Sequence, residues 1–339
     1  MDKTLAAKSP KTCKTSLKVL IGVIAVAVFL VAFVLYFNAA NTYVQSVMNM
    51  LLYNIVIVLG LNFITGLTGQ MNLATAGMVA MGAYTYGIMT TTYGWWPWMA
   101  LLALMALALA MGLGLGYPSL RLKGFFLSLT TIGFSEVIRL LASNLPNLTG
   151  GTMGFSNIVR LPFFGLDLSA KNSYFYVNLV FTVILVLIAF SLVYSKWGRA
   201  FKAVRDNPDA AEATGIDVSR LKIQAFTLAS VYAVIGGCMY AGYNTYLNPS
   251  TFTVTLSQNY VAMLMIGGLG SVPGNLIGAS IVTILPEVLR EFDEYYWIVF
   301  CTACLVMAIL VPDGLWAQFV KLYKAIKRKL GKKQGKEAA

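Results

Sequence analysis

Apolar runs about 20 residues long recur along almost the whole chain, and they constrain its fold more than any other feature. A run of this length crosses the hydrocarbon core of a bilayer as an α-helix. Of the 339 residues, 58% are hydrophobic and 11% are charged, whereas soluble domains carry about 25% charged residues. A water-soluble globule is therefore excluded. The sequence predicts an all-α polytopic membrane protein with about ten transmembrane helices.

The predicted spans begin with the apolar run 19–37, which is too long for the core of a signal peptide. The later apolar segments lie at residues 44–65, 71–91, 97–117, 125–142, 174–195, 223–247, 257–288 and 295–312. The transmembrane domain is therefore expected over residues 19–312, between an N-terminal tail (1–18) and a C-terminal tail (313–339).

Lysine and arginine cluster in four places, all of which should be cytoplasmic by the positive-inside rule. Five lysines precede residue 19, six basic residues lie in the loop 196–222, and eight lie in the C-terminal tail. Arg121 and Lys123 mark a fourth, shorter loop. The loop 143–173 is then external, and both termini are cytoplasmic. The net charge of +12 is thus a signal of topology, and no nucleic-acid partner is expected.

The stretch 257–288 decides whether the two tails can share one side of the membrane. They can do so only if this stretch either crosses twice as short helices or enters the membrane and returns. Its glycine-rich centre, residues 267–274, supplies the necessary break. Broken backbone is tolerated at membrane depth only where protein or water covers it.

The C-terminal tail carries apolar and aromatic side chains at helical spacing among its basic residues, for example Trp316, Phe319 and Tyr323. This pattern predicts an amphipathic helix on the anionic inner leaflet, with membrane lipid as its partner. The alternative is a solvated basic tail that only fixes topology.

Several kinds of chemistry have no residues to support them. The chain has no histidine, and three of its four cysteines lie in apolar segments, where they are typical small hydrophobic residues. The P-loop motif is absent, so any energy from ATP must come from a partner. We therefore expect no catalytic residue, metal site or cofactor in this chain.

The loop 196–222 contains the signals of one short helix. Asn207 suits an N-cap, Pro208 suits the first helical position, and Gly215 is a natural stop. A helix of about two turns is not stable alone in water, so it must dock. It could dock in the groove of a partner or against its own helical bundle.

Residues 197–216, with the sequence WGRAFKAVRDNPDAAEATGI, resemble the cytoplasmic loop of ABC-importer permeases of the LivM type. That family belongs to branched-chain amino-acid importers. Further segments match the family in the same order: residues 69–77, 82–84, 120–124, 136–139, 148–154, 267–271 and 312–315. The resemblance covers about residues 45–318, and its strength lies in the order and spacing of the motifs together.

The resemblance implies an ABC-importer permease fold of about ten spans, in the bacterial cytoplasmic (inner) membrane. Such a permease forms half of a translocation path with a second permease of the LivH type. Two ABC ATPase subunits bind ATP and Mg and hydrolyse the ATP. A soluble external or periplasmic binding protein delivers the substrate.

Two sets of contact residues follow from the resemblance. The ATPase-coupling set would be Arg205, Asp206, Asn207, Pro208, Asp209, Ala210, Ala211, Glu212, Ala213 and Gly215. The contacts to the binding protein would come from Thr149, Gly150, Gly151 and Gly154.

Two glycine-interrupted stretches, 66–77 and 267–278, lie one in each half of the chain. Paired broken segments of this kind point to the transport site in repeat-built transporters, although glycine also serves close helix packing. The polar and glycine candidates for the path in or lining these stretches are Asn62, Gln70, Asn72, Thr75, Gly267, Gly268 and Gly270.

Glu136 and Arg139 are further candidates for the path, because they lie three residues apart on one face of a predicted membrane helix. Ionisable groups at this depth are normally paired or face water. They would meet the ammonium and carboxylate of an amino acid, or they would form a structural ion pair that holds spans together.

Alternatives to a branched-chain substrate remain open at this point. Met71, Asn72, Thr152 and Met153 depart from the commoner residues of the family, and sister permeases of urea and short-amide importers share much of the pattern. A solitary ion-coupled carrier or a membrane enzyme is disfavoured by the short loop helix and by the lack of histidine and of carboxylate clusters.

Overall fold

The structure is a computed structural model that describes residues 33–122, 124–162, 174–289, 298, 301–302, 305, 314–319 and 321. Its principal elements are helices, which we number in chain order. They are α1 (Thr42–Leu61), α2 (Thr75–Gly87), α3 (Pro97–Arg121), α4 (Phe125–Asn144), α5 (Pro146–Thr149), α6 (Tyr174–Tyr194), α7 (Lys196–Asp206), α8 (Pro208–Ala213), α9 (Val218–Asn244), α10 (Val254–Gly267) and α11 (Val272–Leu289).

Two of these helices continue as π-helical turns, α1 through Asn62–Leu67 and α2 through Ile88–Thr92. Strand β1 (Phe155–Ser156) pairs antiparallel with β2 (Tyr246–Leu247) in a two-stranded sheet. Within the described residues, five helical segments are long and apolar enough to cross a membrane: Thr42–Leu67, Pro97–Arg121, Phe125–Asn144, Tyr174–Tyr194 and Val218–Asn244. The protein is therefore a multi-pass helical membrane protein, as its apolar runs predict.

The chain divides into two compact units, Met1–Met48 and Asn49–Ala339. In the first unit the described residues 33–39 are helical, and Nε2 of Gln45 donates a hydrogen bond to the carbonyl of Phe37 at 3.1 Å. All side-chain contacts considered below belong to the second unit.

The core of the second unit forms where α9 packs against α2 and α3. Glycines make this close approach possible: a Cβ on Gly82 would lie 2.6 Å from the carbonyl oxygen of Val234, and one on Gly112 would lie 2.4 Å from Cα of Thr227. Small residues that let helix backbones approach are typical of membrane interfaces. The helix packing therefore depends on these two glycines.

Helices α10 and α11 form an antiparallel hairpin across the stretch 257–288. A Cβ on Gly267 would meet the carbonyl of Gly274, and one on Gly278 would meet the carbonyl of Met263. At 1.5 Å per residue, helices of 14 and 18 residues are about 21 and 27 Å long. The predicted break in this stretch is present as two short helices. That they cross the membrane twice remains a prediction.

Most of the predicted segments coincide with helices within a few residues, but two parts differ. The apolar segment 71–91 becomes helical only at Thr75, and the predicted polar loop 196–222 begins with the amphipathic helix α7. Helix α7 forms because Phe201 and Val204 are buried on one face while charged side chains occupy the other. Several parts lie wholly or mostly outside the described residues: the tail 1–18, the predicted first span 19–37, residues 163–173, the segment 295–312 and the C-terminal tail.

Candidate functional site

Helix α8 has the cap structure that its sequence predicts. Oδ1 of Asn207 accepts hydrogen bonds from the amides of Asp209 and Ala210, both at 3.1 Å. Pro208 occupies the first turn, where its missing amide proton costs nothing. Gly215 follows the helix with a φ of +84°, a conformation that favours glycine. Local sequence therefore fixes both ends of this short helix.

Of the six residues of α8, five are exposed and can contact a partner, whereas the side chain of Ala211 is buried. Ala211 is only 4% exposed and packs against its own chain. Its helix neighbours Pro208, Asp209, Ala210, Glu212 and Ala213 are all exposed. Ala211 therefore anchors α8 to the protein and cannot contribute its side chain to a docking face. A single small anchor leaves nearly the whole helix surface available to another protein.

Arg205, near the end of α7, reaches from the loop to the first broken membrane segment. Its Nη1 donates a hydrogen bond to the carbonyl of Gly66 at 2.8 Å. A Cβ on Gly69 would lie 2.9 Å from Cγ of Arg205, so the side chain also packs closely on this backbone. The sequence placed Arg205 in the coupling set but gave no sign of this contact.

The two glycine-interrupted stretches meet in the folded chain. The amide of Gly270 donates a hydrogen bond of 2.8 Å to Oδ1 of Asn62, which is 1% exposed. A Cβ on Gly66 would overlap with Oδ1 of Asn62 and approach the amide of Gly270 to 2.7 Å. Gly66 is therefore required by this close approach. The structure brings Asn62, Gly66, Gly270 and Arg205 together.

The other candidates of the second stretch have packing roles. Gly267 faces the backbone of Gly274, and Gly268 lies against Gly314, where a Cβ on Gly314 would be 2.1 Å from Cα of Gly268. Gly268 itself has a φ of +115°. These glycines allow backbone to approach backbone at the break.

Backbone amides just before α2 and in its first turn are bound by side chains of other helices. Thr131 and Ser135 of α4 accept hydrogen bonds from the amides of Leu73 and Gly77, each at 3.1 Å. Ser257 of α10 accepts one from the amide of Ala76 at 2.9 Å. These three hydroxyl residues were not among the predicted candidates, although serine and threonine within apolar segments are a usable signal.

Asn72 and Thr75, both proposed for the path, are buried within this junction. Oδ1 of Asn72 accepts a hydrogen bond from the amide of Ala74 at 2.9 Å, and Thr75 is 2% exposed. Gln70 lies just before them and is partly exposed. Asn72 therefore helps to begin α2, and of the three only Gln70 reaches the surface in this conformation.

Glu136 and Arg139 form the predicted ion pair. Nε of Arg139 donates to both carboxylate oxygens of Glu136 at 3.1 and 3.0 Å, and its Nη2 also contacts Oε1. Both residues belong to α4, so the pair lies within one helix and does not hold two spans together. The side chains are 26% (Arg139) and 38% (Glu136) exposed.

The ion pair belongs to a helix that its own chain covers poorly, since only 22% of the apolar stretch of α4 is buried. A charged pair facing lipid is costly. This outer face of α4 therefore suits contact with water or with another subunit. The exposed apolar residues on the same helix include Leu129, Val137 and Leu140.

The glycine-rich segment 148–154 forms a tight turn after α4. Thr149 is 5% exposed, and its hydroxyl donates to the carbonyl of Ala142 at 2.6 Å. Gly150 and Gly154 have φ values of +75° and +83°, and a Cβ on Gly150 would overlap with the carbonyl of Gly154. Gly151, also at positive φ, is buried. These residues therefore build the turn.

The residues that the turn presents are different ones. Met153 is 87% exposed and Thr152 is also exposed. The hydroxyl of Tyr246, on β2, donates to the carbonyl of Met153 at 2.9 Å and fixes the tip. Thr152 and Met153 were predicted from their departure from the family pattern to lie where substrate or a delivery protein could touch, but they were not in the predicted contact set.

A family model for the permease component of branched-chain amino acid transport systems matches residues 43–309. The LivM permease protein of the high-affinity branched-chain amino acid transport system of Salmonella typhimurium is 28% identical over 316 residues, covering 86% of this chain and 74% of the relative. Its Escherichia coli counterpart is 30% identical over 284 residues, covering 77% and 67%.

A more distant relative is the fructose import permease protein FrcC of Rhizobium meliloti, 26% identical over 234 residues, covering 66% of this chain and 64% of the relative. No solved structure gives a significant match.

Proposed function

Because this chain belongs to the permease-component family of branched-chain amino acid transport systems, we propose that it is a permease subunit of an ABC importer for branched-chain amino acids. The observation that carries this proposal is the family match over residues 43–309. The LivM relatives from Salmonella typhimurium and Escherichia coli support the substrate class, because both are named as permeases for branched-chain amino acids.

In this proposal the chain occupies a bacterial cytoplasmic membrane with both termini inside, and it binds no cofactor of its own. A second permease of the LivH type completes the translocation path. Two ATPase subunits bind and hydrolyse ATP with Mg, and an external binding protein delivers the amino acid. The basic residues of the loop 196–222, which carries α7 and α8, support its cytoplasmic position.

Helix α8 would seat in a groove of an ATPase subunit. Its small exposed residues Ala210 and Ala213 permit close contact, and Glu212 offers a charge that a basic side chain could meet. Anchoring by Ala211 alone leaves the rest of the helix surface to the partner. Docking would also stabilise a helix that is too short to persist alone.

The outer face of α4 would form this chain's wall of the path. Its ion pair between Glu136 and Arg139 would face water in the path or the second permease. An apolar face with one neutralised charged pair suits the passage of amino acids with bulky apolar side chains, because no strong site retains them.

The turn 148–154 would face the binding protein, with Thr152 and Met153 making the contact and the glycines holding the tip in shape. In this proposal the contact residues would lie beyond the external, C-terminal end of α4, the helix that would line the path.

The test is uptake by vesicles that contain the permease with its second permease and ATPase subunits, supplied with binding protein and internal ATP. Radiolabelled leucine should accumulate only when the binding protein and internal ATP are both present. Unlabelled isoleucine and valine should compete, whereas urea and acetamide should not. Competition by urea or acetamide alone would indicate the amide importer, and accumulation without ATP would indicate a solitary carrier.

A further inference from the structure

Arg205 connects the loop that carries α8 with the π-helical turn at the end of α1. Two residues after Arg205, Asn207 caps α8 through the amides of Asp209 and Ala210. On the membrane side, the guanidinium of Arg205 donates a hydrogen bond to the carbonyl of Gly66 at 2.8 Å. One side chain therefore joins the base of the exposed helix to the membrane domain.

The carbonyl of Gly66 requires a donor because it lies in the last turn of the helical segment that ends at Leu67. The final carbonyls of a helix have no partner within the helix, and they carry its negative dipole end. A guanidinium is well suited to this position, since it is always charged and presents several N–H groups in a fixed plane. The contact with Gly66 is thus a charge-assisted cap.

The cap lies directly beside the contact between the two broken segments. Gly66 is packed against Asn62 and the amide of Gly270, and Asn62 accepts the hydrogen bond from that amide. A Cβ on Gly270 would lie 3.5 Å from Nη1 of Arg205. A shift of the guanidinium would therefore disturb both broken segments at their point of contact.

We propose that Arg205 is a positioning residue that transmits movement of α8 to the two broken membrane segments, and so couples ATP hydrolysis to opening of the path. This inference rests on the proposed function. Helix α7 is continuous up to Asp206, and the single extended residue Asn207 separates it from α8, so a displacement of α8 would reach Arg205 across a one-residue link. The close packing of its Cγ on Gly69 restricts the side chain further.

The test compares Arg205→Gln and Arg205→Lys with a matched control, Arg199→Gln. Arg199 lies on the same helix and is exposed. Each variant is purified with its second permease and ATPase subunits and placed in vesicles with binding protein. Three quantities are measured: the amount of assembled complex, the rate of ATP hydrolysis, and the leucine taken up per ATP hydrolysed.

Arg205→Gln should keep the assembled complex and its ATP hydrolysis but lower the leucine taken up per ATP on the order of tenfold, because one charge-assisted hydrogen bond is lost. Arg205→Lys should recover part of this ratio, since it retains the charge but not the planar group. Arg199→Gln should behave as the wild type. A parallel loss of assembly, hydrolysis and uptake would show a structural role only and overturn the proposal, as would an unchanged ratio.

A second variant keeps the test decisive if Arg205→Gln does not assemble. Arg205→Met should keep the packing of the side-chain methylenes on Gly69 but remove the hydrogen bond to the carbonyl of Gly66, and it should lower the ratio in the same way. An unchanged ratio in Arg205→Met, or failure of this variant to assemble as well, would count against Arg205 as a transmitter. Failure of the wild type to take up leucine would instead refute the proposed function.

Discussion

The substitution Ala210→Trp should weaken binding of the ATPase subunits while leaving the membrane domain intact. Ala210 lies on the exposed surface of α8, and its own amide and that of Asp209 donate hydrogen bonds to Asn207. The helix cannot tilt away without exposing the buried Ala211, so an added indole must displace the partner. Overfilling a packed site costs about 1–3 kcal/mol, which corresponds to roughly a 5- to 150-fold loss of affinity.

The assay is affinity of the purified permease pair for the ATPase subunits, followed by leucine uptake in vesicles. The matched control is Ser219→Trp, an exposed small residue beyond α8, which should bind normally. Ala211→Trp should behave differently from both, because Ala211 is 4% exposed and the indole would disturb the chain's own packing and lower its thermal stability. Unchanged ATPase affinity and uptake in Ala210→Trp would refute the docking role of α8.

Two further predictions concern the membrane domain. Gly112→Ala should lower the free energy of unfolding by about 1–3 kcal/mol, because its Cβ would lie 2.4 Å from Cα of Thr227. The control is Gly114→Ala on the same helix. Its Cβ would have no atom within 4 Å, so this change should be neutral or slightly stabilising. Thermal unfolding in detergent measures both, and equal effects would contradict the packing argument. Single replacement of Glu136 or Arg139 by Ala should reduce the amount of assembled complex more than the double replacement does, since one charge is then unpaired. A double variant worse than both single variants would be incompatible with the ion pair.

Features that depend on neighbouring residues could be predicted from the sequence. Apolar length alone identifies most spans, since the bilayer sets how long a helix must be. The ends of α8 follow from Asn207, Pro208 and Gly215, because cap and stop preferences act over a few residues. The ion pair of Glu136 and Arg139 follows from helical spacing. The order of motifs indicated the family to which the chain belongs.

Other features were decided by tertiary structure. Gly270 and Asn62 are 208 residues apart in the sequence, and Arg205 and Gly66 are 139 apart. A sequence can show that a segment is broken, but a carbonyl or amide left without a helical partner can be satisfied by any donor or acceptor that folding brings near. The inward position of Ala211 was also decided by tertiary structure. The sequence assigned Ala211 to the coupling set together with its exposed neighbours, and only the packing of α8 against the rest of the chain shows which face is covered.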